Sequence, residues 1–507
     1  MLLRAIVLTT LALASVLGAV LGSASTEEPG KKLAAQYCAT CHIQPLPEHL
    51  DKATWIAKVF PVMRRYMGME PADKQLSSAH DLAALIPSSP MMSEDEWFAV
   101  ASWYIDQAPA SLPVAPQVRN HGVTAVFASR RITTRNEMPM TSVVQFDTVH
   151  QQIIVGDAQT HTVRVLDVSG NELTTIDVGG PPSCLVIKGN TWYLTNMAKL
   201  LPHDSAAGSV VEIRWNGRPG ASGVTYTRSV IIDSLRRPTN LVVADLNQDG
   251  IDDFLIAEYG NMLGRFGWFE RKRGSTFQYH ELVSQPGAIR ALINDINADK
   301  RPDIVVLMAQ AREVVRAYIN GGKGRFTPVD LVESPPSYGS SSITMYDVDK
   351  DGVHEILLTT GDNGDYDNPP FKPYHGVYIY KRTKQLQYQR VTFERFDGAY
   401  GVIPRDFDAN GSIDYLSFSY FPRFTGAATD FVRYSSGEFN ATSGVWSVPG
   451  ADAGRWLVSD AADIDRDGDI DVLLGNVSIG PGAVTDAQAE SWMRPGVQAL
   501  YLINQTR

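Results

Sequence analysis

Cysteine is scarce in this chain, three residues in 507, which is too few for a disulfide framework, so packing must hold the fold together. Long apolar runs are missing after residue 22, which excludes a protein that crosses a membrane many times with helices. A basic excess is missing as well. Lys and Arg number 45 against 56 Asp and Glu, for a formal net charge of −11, and such a chain lacks the footprint that nucleic acid or an anionic membrane surface requires. What is present, 44% hydrophobic and 20% charged residues, is the composition of a folded protein long enough for two or three domains or one large repetitive one.

The single long apolar run stands at the start. Arg4, the apolar residues 5–22 and the small residues Ser23, Ala24 and Ser25 read as a secretory signal over residues 1–25. Periplasmic or extracellular localisation is expected, with no membrane span once the signal is removed. The run is also close to bilayer-spanning length, so an uncleaved N-terminal anchor is the alternative.

Two of the three cysteines fall in Cys38-Ala39-Thr40-Cys41-His42. Two thiols one helical turn apart can add to the vinyl groups of a haem, and the imidazole that follows can reach its iron. A zinc site would need a second ligand pair, which no other cysteines supply. A thioredoxin-type pair would sit in a strand–helix unit, which the surrounding sequence is not. One covalent haem c is therefore expected in a small α-helical domain over residues 28–110, with Cys38 and Cys41 as thioethers and His42 as proximal ligand. Its first helix runs into the motif, and Ser93-Glu94-Asp95-Glu96 is a capping box for a last amphipathic helix. A backbone carbonyl near Pro45 is expected to accept the His42 ring N–H. Met63, on a helix-like run over residues 55–67, is the distal ligand of choice. Met67, Met69, Met91, Met92, His49 and His80 are alternatives, as is an open iron. Cys184 reads as a small buried residue inside a strand.

After a Pro-rich linker at residues 111–117 the chain alternates short β-branched and aromatic runs with Gly, Asn and Asp clusters, an all-β pattern. One unit recurs five times, each with side-chain oxygens at positions 1, 3, 5 and 9. These are Asp245, Asn247, Asp249 and Asp253; Asp295, Asn297, Asp299 and Asp303; Asp347, Asp349, Asp351 and Glu355; Asp406, Asp408, Asn410 and Asp414; and Asp463, Asp465, Asp467 and Asp471. Glycine at position 6 permits a tight turn in four of them; Lys300 replaces it in the second, which is expected to be empty or weak. An EF-hand would place a glutamate at position 12 between helices, whereas strands flank these loops. So many carboxylates on a flexible loop suit Ca2+ better than Mg2+, with up to five ions bound. Loop spacings of 50, 52, 59 and 57 residues are those of four-stranded propeller blades, and strands near Asp147 and Cys184 supply two more blades without ion loops.

These repeats resemble the FG-GAP or VCBS repeats of integrin-type β-propellers, over residues 118–505, and the N-terminal part resembles a c-type cytochrome domain. The fused arrangement resembles bacterial exported proteins described only as cytochrome c and VCBS-repeat proteins. The resemblance implies calcium in the loops and a seven-bladed scaffold, and carries no settled substrate.

If the ion loops mark one face, the connections after each second strand lie on the other. Arg290, Asp365, Tyr366, Lys372, His375 and Arg455 are the candidate rim site there, with residues 361–375 as a long, polar loop. The expected function is electron transfer with a redox partner protein or a small-molecule electron donor. The alternatives are oxidation of a small molecule or sugar at the rim, and calcium-dependent adhesion or carbohydrate binding.

Overall fold

The computed structural model describes residues 28–70, 86–114, 118–134, 138–273, 276–310, 312–366, 369–424, 427–437, 444–480, 486–493 and 496–507. The secretory signal, His80 and residues 367–368 of the rim loop lie outside them.

Among the described residues the strands pair into seven sheets. Their first strands are Thr141–Asp147, Pro182–Lys188, Pro238–Ala244, Ala288–Asn294, Ser340–Tyr346, Ala399–Arg405 and Trp456–Ala462. Each touches the first strand of the next sheet, and the seventh touches the first, so the sheets close into a ring of seven blades around a central channel. The protein is a seven-bladed all-β propeller.

Burial follows from that ring. Second strands such as Asp253–Glu258, Glu355–Thr360, Asp414–Ser419 and Asp471–Asn476 are buried at every position because a neighbouring blade covers each face. Inner strands alternate between the blade interior and the channel, and outer ones such as Phe277–Val283 are half solvated. Between blades, layers such as Leu255, Phe266, Trp268, Ile304 and Val306 form the core, at about 1.5–3 kcal/mol for each fully buried large side chain.

The ring is closed by strands from both ends of the chain. Phe127–Thr134 pairs antiparallel with Gly496–Asn504 as the outer strand of blade 7. Asn120–Val123 pairs parallel with Val445–Ser447 as a fifth strand of blade 6. Neither closure is visible in the repeat pattern, because both strands lie before the first repeat.

The N-terminal segment is helical: α1 (Pro29–Tyr37), α2 (Lys52–Thr54), a π-helical turn (Trp55–Val59), α3 (Phe60–Tyr66) and α4 (Glu94–Gln107). The π-turn ends two residues before Pro61, which has no N–H for an α-type bond, and the intervening Phe60 donates to the Trp55 carbonyl. The capping box forms as expected: the Glu96 N–H reaches Ser93 Oγ at 3.3 Å, and the Ser93 N–H reaches Glu96 Oε2 at 2.8 Å. Helices α1 and α4 cross at Gly30, where an added Cβ would lie 2.6 Å from Trp103 Cβ. No helix of the described residues is long and apolar enough to cross a membrane.

Candidate functional site

Cys38 caps the C-terminus of α1 and is half-buried, whereas Cys41 is exposed on the turn that follows. Burial, followed by the charge of Cys41, pushes the Cys38 thiol up to about 11. A nucleophilic Cys-x-x-Cys pair requires a lowered thiol, so this environment disfavours the thioredoxin-type alternative. His42 Nδ1 lies 2.9 Å from the Ile43 carbonyl, which orients the ring and turns Nε2 to any metal. The carbonyls expected for that role are taken: Pro45 accepts from Tyr104 Oη at 2.7 Å and Pro47 from Trp55 Nε1 at 2.8 Å. Met63, half-buried on α3, packs with Met69 against the buried group Met67, Met92 and Trp97. Met67 and Met92 are thus core residues, and Met63 is the more accessible thioether. The donor set of two thiols, an oriented imidazole and nearby thioethers fits a covalently held haem.

The five acidic loops expected to hold ions share one backbone form. Position 4 has φ between +56° and +65° (Gln248, Ala298, Lys350, Ala409, Arg466), and position 6 between +67° and +97° (Gly250, Lys300, Gly352, Gly411, Gly468). Lys300 therefore adopts the left-handed conformation that glycine takes elsewhere, and its N–H still reaches Asp295 Oδ2 at 2.7 Å. Position 9 has a structural task the sequence did not disclose. Asp253 accepts the Leu246 N–H at 3.1 Å and the Arg271 N–H at 3.0 Å, tying the loop to the third strand. Asp303 does the same with Ile296 and Asn320, and Asp414 with Phe407 and Gly437. In blade 5 the longer Glu355 is 1% exposed and accepts the Val348 N–H at 2.9 Å, and its Oε1 is buried without a partner. The Oδ1 atoms of Asp406 and Asp463 are likewise buried and unpartnered. One oxygen from each of Asp347, Asp349 and Asp351 lies within 4.8 Å of the others, as in the sets Asp406, Asp408, Asp414 and Asp463, Asp465, Asp467. Desolvation and neighbouring carboxylates raise Asp253 to about 6, and desolvation with the carboxylates of Asp465 and Asp469 raises Asp471 to about 7, although the Asn504 N–H opposes the shift. Buried oxygens lacking a proton donor, gathered with like charges, suit a hard divalent cation.

The six rim residues do not form one site. Arg290 lines the central channel, open to its water yet enclosed by the ring, with Cys184 and Asp460 as its electrostatic neighbours. Arg455 is 0% exposed, with Nε donating to the Tyr420 carbonyl at 2.9 Å and its guanidinium 4.5 Å from the Tyr420 ring and 5.4 Å from Phe421. It braces blades 6 and 7 and is closed to a ligand. Asp365, Tyr366, Lys372 and His375 do share the blade 5 connection, but Lys372 is buried, donating to the Ser337 carbonyl at 2.9 Å with Nζ 5.0 Å from the Tyr366 ring. Burial lowers Lys372 to about 8, against the opposing pull of the Glu313, Asp362 and Asp365 carboxylates. His375 is fully buried and held well below the imidazole range by desolvation.

What covers this connection is the N-terminal helical segment. His49 sits with its ring centroid 5.7 Å from Tyr338 and 5.4 Å from Tyr374, which stack on each other at 4.4 Å. Tyr374 Oη donates to the His49 carbonyl at 2.6 Å, and Ser337 Oγ lies 3.1 Å from His49 Nδ1. Nδ1 also accepts the Leu46 N–H at 3.2 Å. His49, an alternative axial ligand from sequence, is thus committed to the seam between segment and propeller. Across the channel mouth, Tyr66 at the end of α3 places Oη 2.9 Å from Met262 Sδ of blade 3.

A family model of the FG-GAP-like repeat matches residues 295–358. That span runs from the blade 4 ion loop, including Lys300, through the blade 5 loop, so the propeller carries a repeat of FG-GAP type. No curated protein matches the chain. Among solved structures, a streptogramin B lyase is similar at 10% identity, covering 75% of this chain and 98% of that one, TM-score 0.44. A luciferin-regenerating enzyme is similar at 10% identity, 64% and 99% coverage and TM-score 0.38. A structure of BBS1N in complex with ARL6DN is similar at 9% identity, 76% and 98% coverage and TM-score 0.43. The count of seven blades rests on this chain's own strand pairing.

Proposed function

We propose that the protein is an exported electron carrier. In this reading residues 28–110 hold one haem c through Cys38 and Cys41 with His42 as axial ligand, and the calcium-braced propeller presents it to a redox partner protein or a small-molecule electron donor. The observation that carries the reading is the Cys38–His42 turn at the end of α1, beside the α1–α4 crossing, with the preceding Tyr37 packed in the same cluster as Met63. When bound, the haem supplies one-electron chemistry whose potential follows its axial ligands. The Ile43 carbonyl fixes the His42 ring so that Nε2 is the ligand atom. Met63 offers a second, thioether donor, and Trp97 and Tyr104 keep water from the helix interface.

The test is the pyridine haemochrome spectrum of the purified, reduced protein. A thioether-linked haem is expected, lost in the Cys38→Ala, Cys41→Ala double variant while the propeller still melts cooperatively; a double variant that keeps covalent haem removes the assignment. Up to five calcium ions are proposed at the loops, supported by the unpartnered oxygens of Glu355, Asp406 and Asp463. A second reading, oxidation of a small molecule with the haem as electron acceptor, is favoured by the polar channel mouth beneath the helical segment.

A further inference from the structure

Four blades send polar side chains to the channel mouth that the helical segment covers. Arg237, next to the inner strand of blade 3, lies 5.0 Å over the Tyr259 ring, with Nε and Nη2 held by the Leu200 carbonyl at 3.1 and 2.6 Å. Tyr259 donates to Gln310 Oε1 of blade 4 at 2.8 Å. Tyr400, second residue of the inner strand of blade 6, packs 5.3 Å from Tyr420. Asp362 of blade 5 is pressed to the start of that strand, because an added Cβ on the preceding Gly361 would run into the Ala399 backbone. Arg237, Tyr259, Tyr400 and Asp362 all lie within electrostatic reach of one another. They form one cluster.

The cluster is enclosed without being sealed. Tyr400, Arg237 and Asp362 are half-buried. Among the described residues no hydrogen bond falls on the Tyr400 hydroxyl or on Arg237 Nη1. Overhead, Tyr66 reaches blade 3 on one side and His49 reaches blade 5 on the other, so the helical segment roofs the mouth. The chemistry is mixed: one guanidinium donor, one carboxylate acceptor and phenols that serve as either, bordered by the carboxylates of Asp365 and Glu313 on the Tyr259 side and by the buried ammonium of Lys372 beside Asp362. That set matches neighbouring hydroxyl groups better than a phosphate, which would seek several cations, or an amine, which would seek several carboxylates.

We propose that this mouth binds a neutral polyhydroxylated small molecule, a monosaccharide or cyclic polyol, between the propeller and its helical roof. The proposal supplies a substrate class for the second reading above and stands on the cluster alone. The test titrates the full-length, haem-loaded protein with D-glucose and with myo-inositol by calorimetry, with inorganic phosphate as the charged comparison. Saturable binding of a polyol is expected, weakened about tenfold or more by Tyr400→Phe and by Asp362→Asn, since each leaves a ligand hydroxyl unpaired. Tyr400→Phe keeps the packed ring, and each variant's melting curve establishes that it is folded. Polyol binding untouched by both variants, preference for phosphate, or no saturation by either polyol overturns the proposal. Polyol binding that fails to reduce the haem anaerobically supports the site while removing the oxidoreductase reading.

Discussion

His49 shows how one side chain joins two parts of the molecule. Its Nδ1 accepts the Leu46 N–H and faces Ser337 Oγ, so that nitrogen must be unprotonated in the docked state. Burial lowers its affinity for a proton, and the charge of Glu48 only partly offsets this. Because the docked imidazole titrates below its free value, its contribution is fully present above about pH 6.5 and is lost as pH falls through the lowered value. Limited proteolysis of residues 111–117 should accelerate between pH 7 and pH 5, and His49→Phe should remove that pH dependence; a rate that does not change with pH contradicts the role. Lys381 pairs with Asp349 and lies 3.2 Å from Asp351. An ammonium beside the blade 5 loop competes with a metal for the same oxygens. Lys381→Met should raise calcium affinity there, read by calorimetry as a tighter class of sites, whereas weaker binding would show the lysine to be a support for the loop.

At the scale of the element, the ion loop combines what sequence discloses with what it hides. The carboxylates and the position 6 glycine are legible because side-chain chemistry and a positive φ both restrict residue choice. The left-handed residue at position 4 is not, since Gln, Ala, Lys, Ala and Arg share no chemistry and only the backbone is alike. The double duty of position 9 was hidden for a similar reason: an aspartate that accepts two backbone N–H groups looks the same in sequence as one that only meets an ion. Lys300 tests the strain argument, because a lysine at φ +67° occupies a region where glycine is at ease. Lys300→Gly should stabilise the propeller by up to about 1 kcal/mol, read in urea denaturation at constant calcium; a lower midpoint would place the value of Lys300 in its side chain.

For the whole molecule, the repeat spacing sufficed to foresee seven blades, because each blade is a local unit of near-constant length. The closure was not legible: Asn120–Val123 and Phe127–Thr134 pair with strands more than three hundred residues away, and no local pattern encodes that partner. The rim candidates dispersed for the same reason, since strand starts predict a face of the ring but not whether a side chain turns to the channel, as Arg290 does, or into an aromatic cage, as Arg455 does. Deleting residues 118–134 should unlatch blades 6 and 7 and convert one cooperative melt into a broad one; an unchanged melt would show closure to be dispensable.

The central claim, a haem held covalently on the helical segment and seated over the propeller, is tested most directly by treating the purified protein with acidified acetone and recording the spectrum of precipitate and supernatant. Thioether bonds at Cys38 and Cys41 are expected to keep the chromophore with the protein, one haem per chain, with a reduced α band after dithionite. Haem recovered in the supernatant, or no haem in either fraction, contradicts the account.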